Sequence, residues 1–259
     1  MRHIFYSEQD YLQQGSIFNG AVARGYDGCD VYGVIITPRC DIDKHKVSIV
    51  HYLPIVKFED WKKVCLSKEY QEEFIRKESN YLSPFLKKYA LDHLLQPGFQ
   101  LPSQELPKLF LNKPVPGDFY QRLDKYWKYL DNKDDIVYHS LKEWNNYSSR
   151  ISELVDGKME RYLFFEDWNG EEYYYVICLT EIYNLQLSVA ERFKHGVLAR
   201  DIDYDKNDLK EFDDRMYRYE LSSAFSSPYM EYICQKFSNA FFRIGIDDWE
   251  NRSSLIKSL

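Results

Sequence analysis

The sequence of 259 residues has no Cys-x-x-C pair, no Gly-x-Gly-x-x-Gly following a strand, no Gly-Lys-Ser/Thr and no apolar run near the ~20 residues of a bilayer span. These absences exclude the common structural zinc spacings, the dinucleotide and phosphate-loop fingerprints and a hydrophobic membrane helix. Cysteine is scarce and odd in number: Cys29, Cys40, Cys65, Cys178 and Cys234 are scattered, which predicts free thiols in a reducing compartment. Positive charge is also short, with 34 Lys and Arg against 41 Asp and Glu and a formal net charge of -7, so broad attraction to nucleic acid is not expected. The opening Met-Arg-His-Ile-Phe-Tyr-Ser-Glu-Gln-Asp holds no apolar stretch of signal-peptide length. Together these features predict a cytoplasmic protein with no membrane association, no metal and no cofactor.

Aromatic residues are abundant instead, at 17% with 23 Tyr and 16 Phe. Tyrosine suits positions packed at one end and wet at the other, so the surplus fits either the outer layer of a core or a surface for a protein partner.

The period of the apolar residues changes along the chain. Val, Ile and Tyr between Asp30 and Thr37, bounded by Gly and Pro, predict a strand, and residues 46 to 56 predict a return strand bending near Pro54. In that return strand Val47, Ile49, Leu53 and Ile55 share one parity and are expected inside, with His51 as a core histidine on the same side. Several short strands within about 55 residues, with no crossover helix between them, predict a small barrel over residues 1–57. Residues 58–157 read as mainly helical, with a helix start at Ser83-Pro84, a proline-rich connector at 96–117 and a helix marked by Phe119, Leu123, Tyr126, Trp127 and Leu130. Residues 158–259 read as an aromatic β-hairpin turning at Asn169-Gly170, then a short helix capped at Ser188. An amphipathic C-terminal helix comes next, running from Ser227-Pro228 to Arg243 and Gly245. The expected class is α+β, because strands gather at two places with helices between them.

Chemistry concentrates in Thr37-Pro-Arg-Cys-Asp41 at the mouth of the first long strand. A thiol beside a guanidinium can become a nucleophile, yet no histidine stands at a diagnostic spacing from Cys40. The turn reading fits better: Pro38 stops the strand and Asp41 hydrogen-bonds the following backbone. Cys40 then lies against the core, and Arg39, Asp41 and Lys44 are presented to a partner. Acidic pairs such as Asp201 with Asp203, and Asp213 with Asp214, read as solvated faces.

Gln14-Gly15-Ser16-Ile17 and Val34-Ile35-Ile36-Thr37 resemble the opening strands of the PemK/MazF-like toxins. That resemblance implies an SH3-like barrel and an RNA-cleaving site. Where those toxins carry Arg-Pro, this chain has Tyr32-Gly33, which leaves Thr37, Arg39 and Asp41 as the candidate catalytic set. The strand ending in Thr-Pro-Arg-Cys-Asp and the C-terminal Ser-Pro-Tyr-Met-Glu…Phe-Phe-Arg-Ile-Gly also resemble a group of bacterial proteins with a "VVISQTCD"-like strand and an "SPYxExLxQxFxxxFxRVG"-like helix. This second likeness implies a bacterial product tied to phage defence or toxin-antitoxin systems. The expected function is therefore a non-enzymatic binding or regulatory protein acting on a protein partner or as a homo-oligomer. An endoribonuclease that binds RNA is the alternative.

Overall fold

The computed structural model describes residues 4–5, 11–99, 101, 105–111, 113–131, 134–166 and 174–242. The chain divides into two compact units, Met1–Asp60 with Ser149–Leu259, and Trp61–Ser148. It is mixed α+β, and the strands of the larger unit lie in one curled antiparallel sheet plus a two-stranded ribbon.

The sheet contains β1 (Ile4–Phe5), β2 (Ser16–Asn19), β3 (Val31–Ile35), β4 (Ile49–Lys57), β5 (Tyr162–Glu166), β6 (Tyr174–Cys178) and β7 (Tyr183–Gln186). The ribbon pairs β8 (Val197–Leu198) with β9 (Arg218–Tyr219), and β10 (Leu221–Phe225) rejoins the sheet between β1 and β2. The order is β1-β10-β2-β3-β4-β6-β5, with β7 also on β4. Strand β4 divides its free edge between two partners, since Ile49 to Tyr52 pair with β7 and Ile55 to Lys57 pair with β6. Pro54 sits where one partner gives way to the other. The Ile36 N–H donates to the His51 carbonyl at 2.9 Å, and the ladder alternation then makes Gly33↔Pro54 a pair without hydrogen bonds. The proline nitrogen therefore faces the opposite edge, at the gap between the β7 and β6 ladders, and β4 continues through it.

The expected parity of β4 holds for only half of its length. Leu53 and Ile55 are buried in a cluster with Ile17, Val34, Tyr175, Ile177, Met230 and Ile233, beneath the helix Tyr229–Phe242. Ile49 and His51, on the same side, lie beyond that cover and are exposed, so His51 is not a core histidine. Val50 and Tyr52 point to the other face, where the rings of Phe18, Tyr52 and Phe193 meet at centroid distances of 5.0 and 5.3 Å. Gly33 lies between two of these rings. A methyl at 33 would overlap Phe18 and lie 2.8 Å from Tyr52 Cδ2, so this aromatic packing requires glycine.

The sheet curls far enough for an irregular strap, residues 203–212, to join its two sides. On one side Asp208 N–H donates to the Asn184 carbonyl, Asn184 N–H to Asp208 Oδ2 and Gln186 N–H to Asn207 Oδ1. On the other, Leu209 bridges Ala21 and Lys210 N–H donates to the Gly20 carbonyl at 2.9 Å. Buried tyrosines take two of the strap's carbonyls: Tyr52 donates to Asp208 and Tyr219 to Lys210. These carbonyls are partly buried, and leaving them unpaired would cost up to about 1–3 kcal/mol each, a cost the phenols remove.

In the smaller unit the helix Ser67–Lys88 continues through Pro84, correcting the expected start at Ser83. Helix formers upstream supply enough hydrogen bonds to absorb the one donor that proline lacks. That helix ends before Tyr89 and Ala90, which therefore do not extend its face. With Phe119–Leu130 it buries Leu82, Leu86, Leu123 and Trp127 around a bidentate ion pair, Arg122 to Glu78 at 2.7 and 3.0 Å. Strands β5 and β6 pair along their length, while Asn169-Gly170 lies outside the described residues, as do Arg243 and Gly245. The short helix Leu187–Ala190 begins after Gln186 without a side-chain cap, so Ser188 does not open it.

Candidate functional site

Pro38 stops β3, as its sequence predicts, and the chain then forms a single helical turn, Arg39–Asp43. The Pro38 carbonyl accepts the N–H groups of Asp41 and Ile42 at 3.0 and 3.3 Å, and the turn closes with His45 in the left-handed region at φ 48°. The connection between β3 and β4 is thus a helical turn and not a turn fastened by Asp41. In a strand Cys40 would alternate inward, but in a helical turn side chains fan out by about 100° per residue. Ile42 therefore takes the buried position and Cys40 is exposed. Asp41 does not fasten the next backbone N–H groups; its Oδ1 accepts from Lys46 Nζ at 3.5 Å and from Cys40 Sγ at 3.4 Å.

The candidate residues separate into two layers. Thr37 is buried, and its hydroxyl oxygen accepts the His51 N–H at 2.7 Å, fastening the end of β3 to β4. Arg39, Asp41 and Lys44 lie on the turn above it. Arg39 has a side chain 61% exposed, its Nε is 3.2 Å from Asp43 Oδ2, and its guanidinium lies 5.8 Å from the ring centre of Tyr11. Tyr11 is itself 49% exposed. Neighbouring polar pairs complete the surface: His45 Nδ1 lies 3.6 Å from Glu191 Oε1, and His51 Nδ1 lies 2.7 Å from Asn184 Oδ1.

Exposed ion pairs of this kind contribute about 0–1 kcal/mol and weaken with salt. They orient the Arg39 guanidinium without tying it, so it can exchange Asp43 for a carboxylate brought by another molecule. The sequence brings Arg39, Asp41 and Lys44 together by adjacency. It does not reveal Tyr11, Asn184 or Glu191, which reach the corner from other elements and stand in no recognisable motif. Among the described residues no group of three or more His, Cys, Asp and Glu side chains is placed to hold a metal ion, and no helix is long and apolar enough to cross a membrane.

A separate apolar cavity of about 220 Å³ lies under the C-terminal helix, walled by Leu163, Phe165, Ile177, Phe225, Tyr229 and Ile233. Lys236 Nζ donates to the Gly157 carbonyl at 2.9 Å and ties the helix across it. No protein family, curated protein or solved structure matches the chain.

Proposed function

We propose that the chain is a non-enzymatic binding and regulatory protein that engages a protein partner, or a second copy of itself, through the corner formed by Tyr11, Arg39, Asp41 and Lys44. One observation carries this reading: an exposed guanidinium is held over a half-exposed tyrosine ring. Arginine and tyrosine are the residue types that most often dominate binding energy at protein interfaces. The partner's matching surface supplies carboxylates for Arg39 and Lys44, with an apolar group for Tyr11. The curled sheet is compatible with an SH3-like barrel, and the likeness of the two ends of the chain to bacterial proteins supports a role in phage defence or toxin-antitoxin control in the cytoplasm. The test is co-purification with the tagged chain from its native host, with Arg39→Glu alongside. A partner or self-association held by the native chain and lost in the variant is expected. No partner and no self-association at any salt concentration would contradict the proposal.

The endoribonuclease reading rests on the exposed position of Arg39 beside a barrel-like sheet, where a cation can stabilise charge developing on phosphate. Induced expression would then arrest growth and Arg39→Ala would relieve the arrest. Intact cellular RNA after strong expression removes this reading.

A further inference from the structure

A hollow of about 330 Å³, within the size range of small-ligand clefts, opens on the larger unit and includes none of the Arg39 corner. It is lined by the aromatic residues Tyr32, Phe212 and Tyr217 and by the acidic residues Asp30 and Glu220, among others. The rings are fixed in place. Phe212 and Tyr217 stack at 3.6 Å between centroids, and Tyr217 meets Tyr219 edge-on at 5.1 Å. Gly20, at φ 74°, allows this approach, since a Cβ there would press into the Tyr219 ring and lie 3.3 Å from Tyr217 Cε1. Asn19 holds the segment that carries Glu220, accepting its N–H at 2.7 Å and donating to the Arg218 carbonyl at 3.0 Å. The Tyr217 hydroxyl is pushed up to about 12, by burial first and then by the charge of Asp30, with Tyr32 and Glu220 adding to it. Both carboxylates thus act on the same phenol.

Positive groups already approach these walls from outside the hollow. Lys57 Nζ lies 3.0 Å from Asp30, Arg218 Nε lies 3.7 Å from Glu220, and Lys210 Nζ lies 5.2 Å from the Phe212 ring centre. We propose that this hollow binds an organic cation, the guanidinium or alkylammonium head of a basic ligand, between its aromatic rings and its two carboxylates. A guanidinium is weakly hydrated, stacks on rings and donates in parallel to a carboxylate, so it suits this lining. The head can belong to a small basic metabolite or to a side chain of a protein, and the site stands whether or not the Arg39 corner has a partner.

Calorimetric titration of the whole chain tests it with n-butylguanidinium and n-butylammonium, against n-butylurea as the uncharged isostere. At least one cation is expected to bind in a salt-sensitive way, and the urea is not. Glu220→Gln should weaken cation binding by roughly fivefold, the upper end for one exposed charge pair. Lys57→Met, which removes the ammonium now on Asp30, should tighten it. Comparing free arginine with an acetylated, amidated Gly-Arg-Gly peptide identifies the source, because tighter binding of the first points to a metabolite and of the second to a protein side chain. Binding of the urea equal to that of the cations overturns the proposal. So does absence of binding by either cation, or cation affinity unchanged in both variants.

Discussion

The turn at residues 37–46 and the strap at 203–212 both lie on the same sheet with their charged residues mostly exposed, yet they differ in what they turn inward. The turn directs its charges outward: Arg39 pairs with Asp43 and Lys46 with Asp41, Lys44 is exposed, and Thr37 and Ile42 are buried beneath them. The strap also leaves most of its charges exposed, but it turns inward the side chain of Asn207 and the carbonyls of Asp208 and Lys210. Asn207 is 2% exposed and makes three hydrogen bonds to two residues, accepting from Gln186 N–H and donating to the Asp203 carbonyl and to Gln186 Oε1. Tyr52 and Tyr219 donate to strap carbonyls from below. Reactive chemistry in a sequence therefore marks the segment that is free to meet other molecules. Closure of the sheet falls to a segment whose composition reads as plain solvated loop.

The largest expected effect comes from the packing on which the strap rests. Gly33→Ala forces a methyl against Phe18 and Tyr52 and should destabilise the fold by about 3 kcal/mol, measured by denaturant melting. A loss under about 1 kcal/mol would mean that these rings have room to move, and the contrast with the turn would weaken. Next is Tyr52→Phe, which leaves the Asp208 carbonyl and the Val22 N–H without their phenol partner and should cost about 2 kcal/mol.

Alkaline titration sharpens the same contrast. Burial raises Tyr52 well above the ordinary phenol range, and Tyr183 and Tyr219 are raised as well, by burial first and then by their side-chain hydrogen bonds. Tyr217 rises to about 12. An unfolded chain loses these protons near pH ~10. Below that pH both states keep the proton and the stabilisation is complete. As pH rises from there toward 12 only the unfolded state ionises, so stability falls. Ultraviolet difference titration should show a class of tyrosines that ionise only together with unfolding. The smallest effect belongs to the turn: Cys40→Ser should change stability by no more than about 0.5 kcal/mol, because the thiol is exposed. The same exposure should make Cys40 react with a thiol reagent sooner than the buried Cys178.

Much of the architecture is legible in the sequence where one rule dominates. The β-branched run before Pro38 gives β3, and the three-and-four spacing from Phe119 to Leu130 gives a helix with those bounds. The reading fails where a second layer decides. In β4, whether Ile49 or Leu53 is buried depends on how far the helix Tyr229–Phe242 reaches, and no local pattern encodes that distance. At the turn, Pro38 correctly marks the end of the strand. The switch to a helical turn then moves Cys40 outward and Ile42 inward, reversing an inference that assumed strand alternation. The bridging role of the strap is not legible, because Asp203, Lys206 and Asp208 are as exposed as their composition suggests, while the partners that Asn207 and Asp208 meet on β4 and β7 are supplied only by the fold. The cation hollow likewise joins residues 19–32 to residues 212–222, which only the fold brings together.

The central claim, that the turn presents and the strap closes, is tested most directly by measuring thermal stability and partner capture together in Arg39→Glu, with Tyr52→Phe as its counterpart. The account predicts that Arg39→Glu melts with the native chain and loses the captured partner, while Tyr52→Phe melts earlier and keeps it. Arg39→Glu melting as early as Tyr52→Phe, or retaining the partner in full, would contradict it.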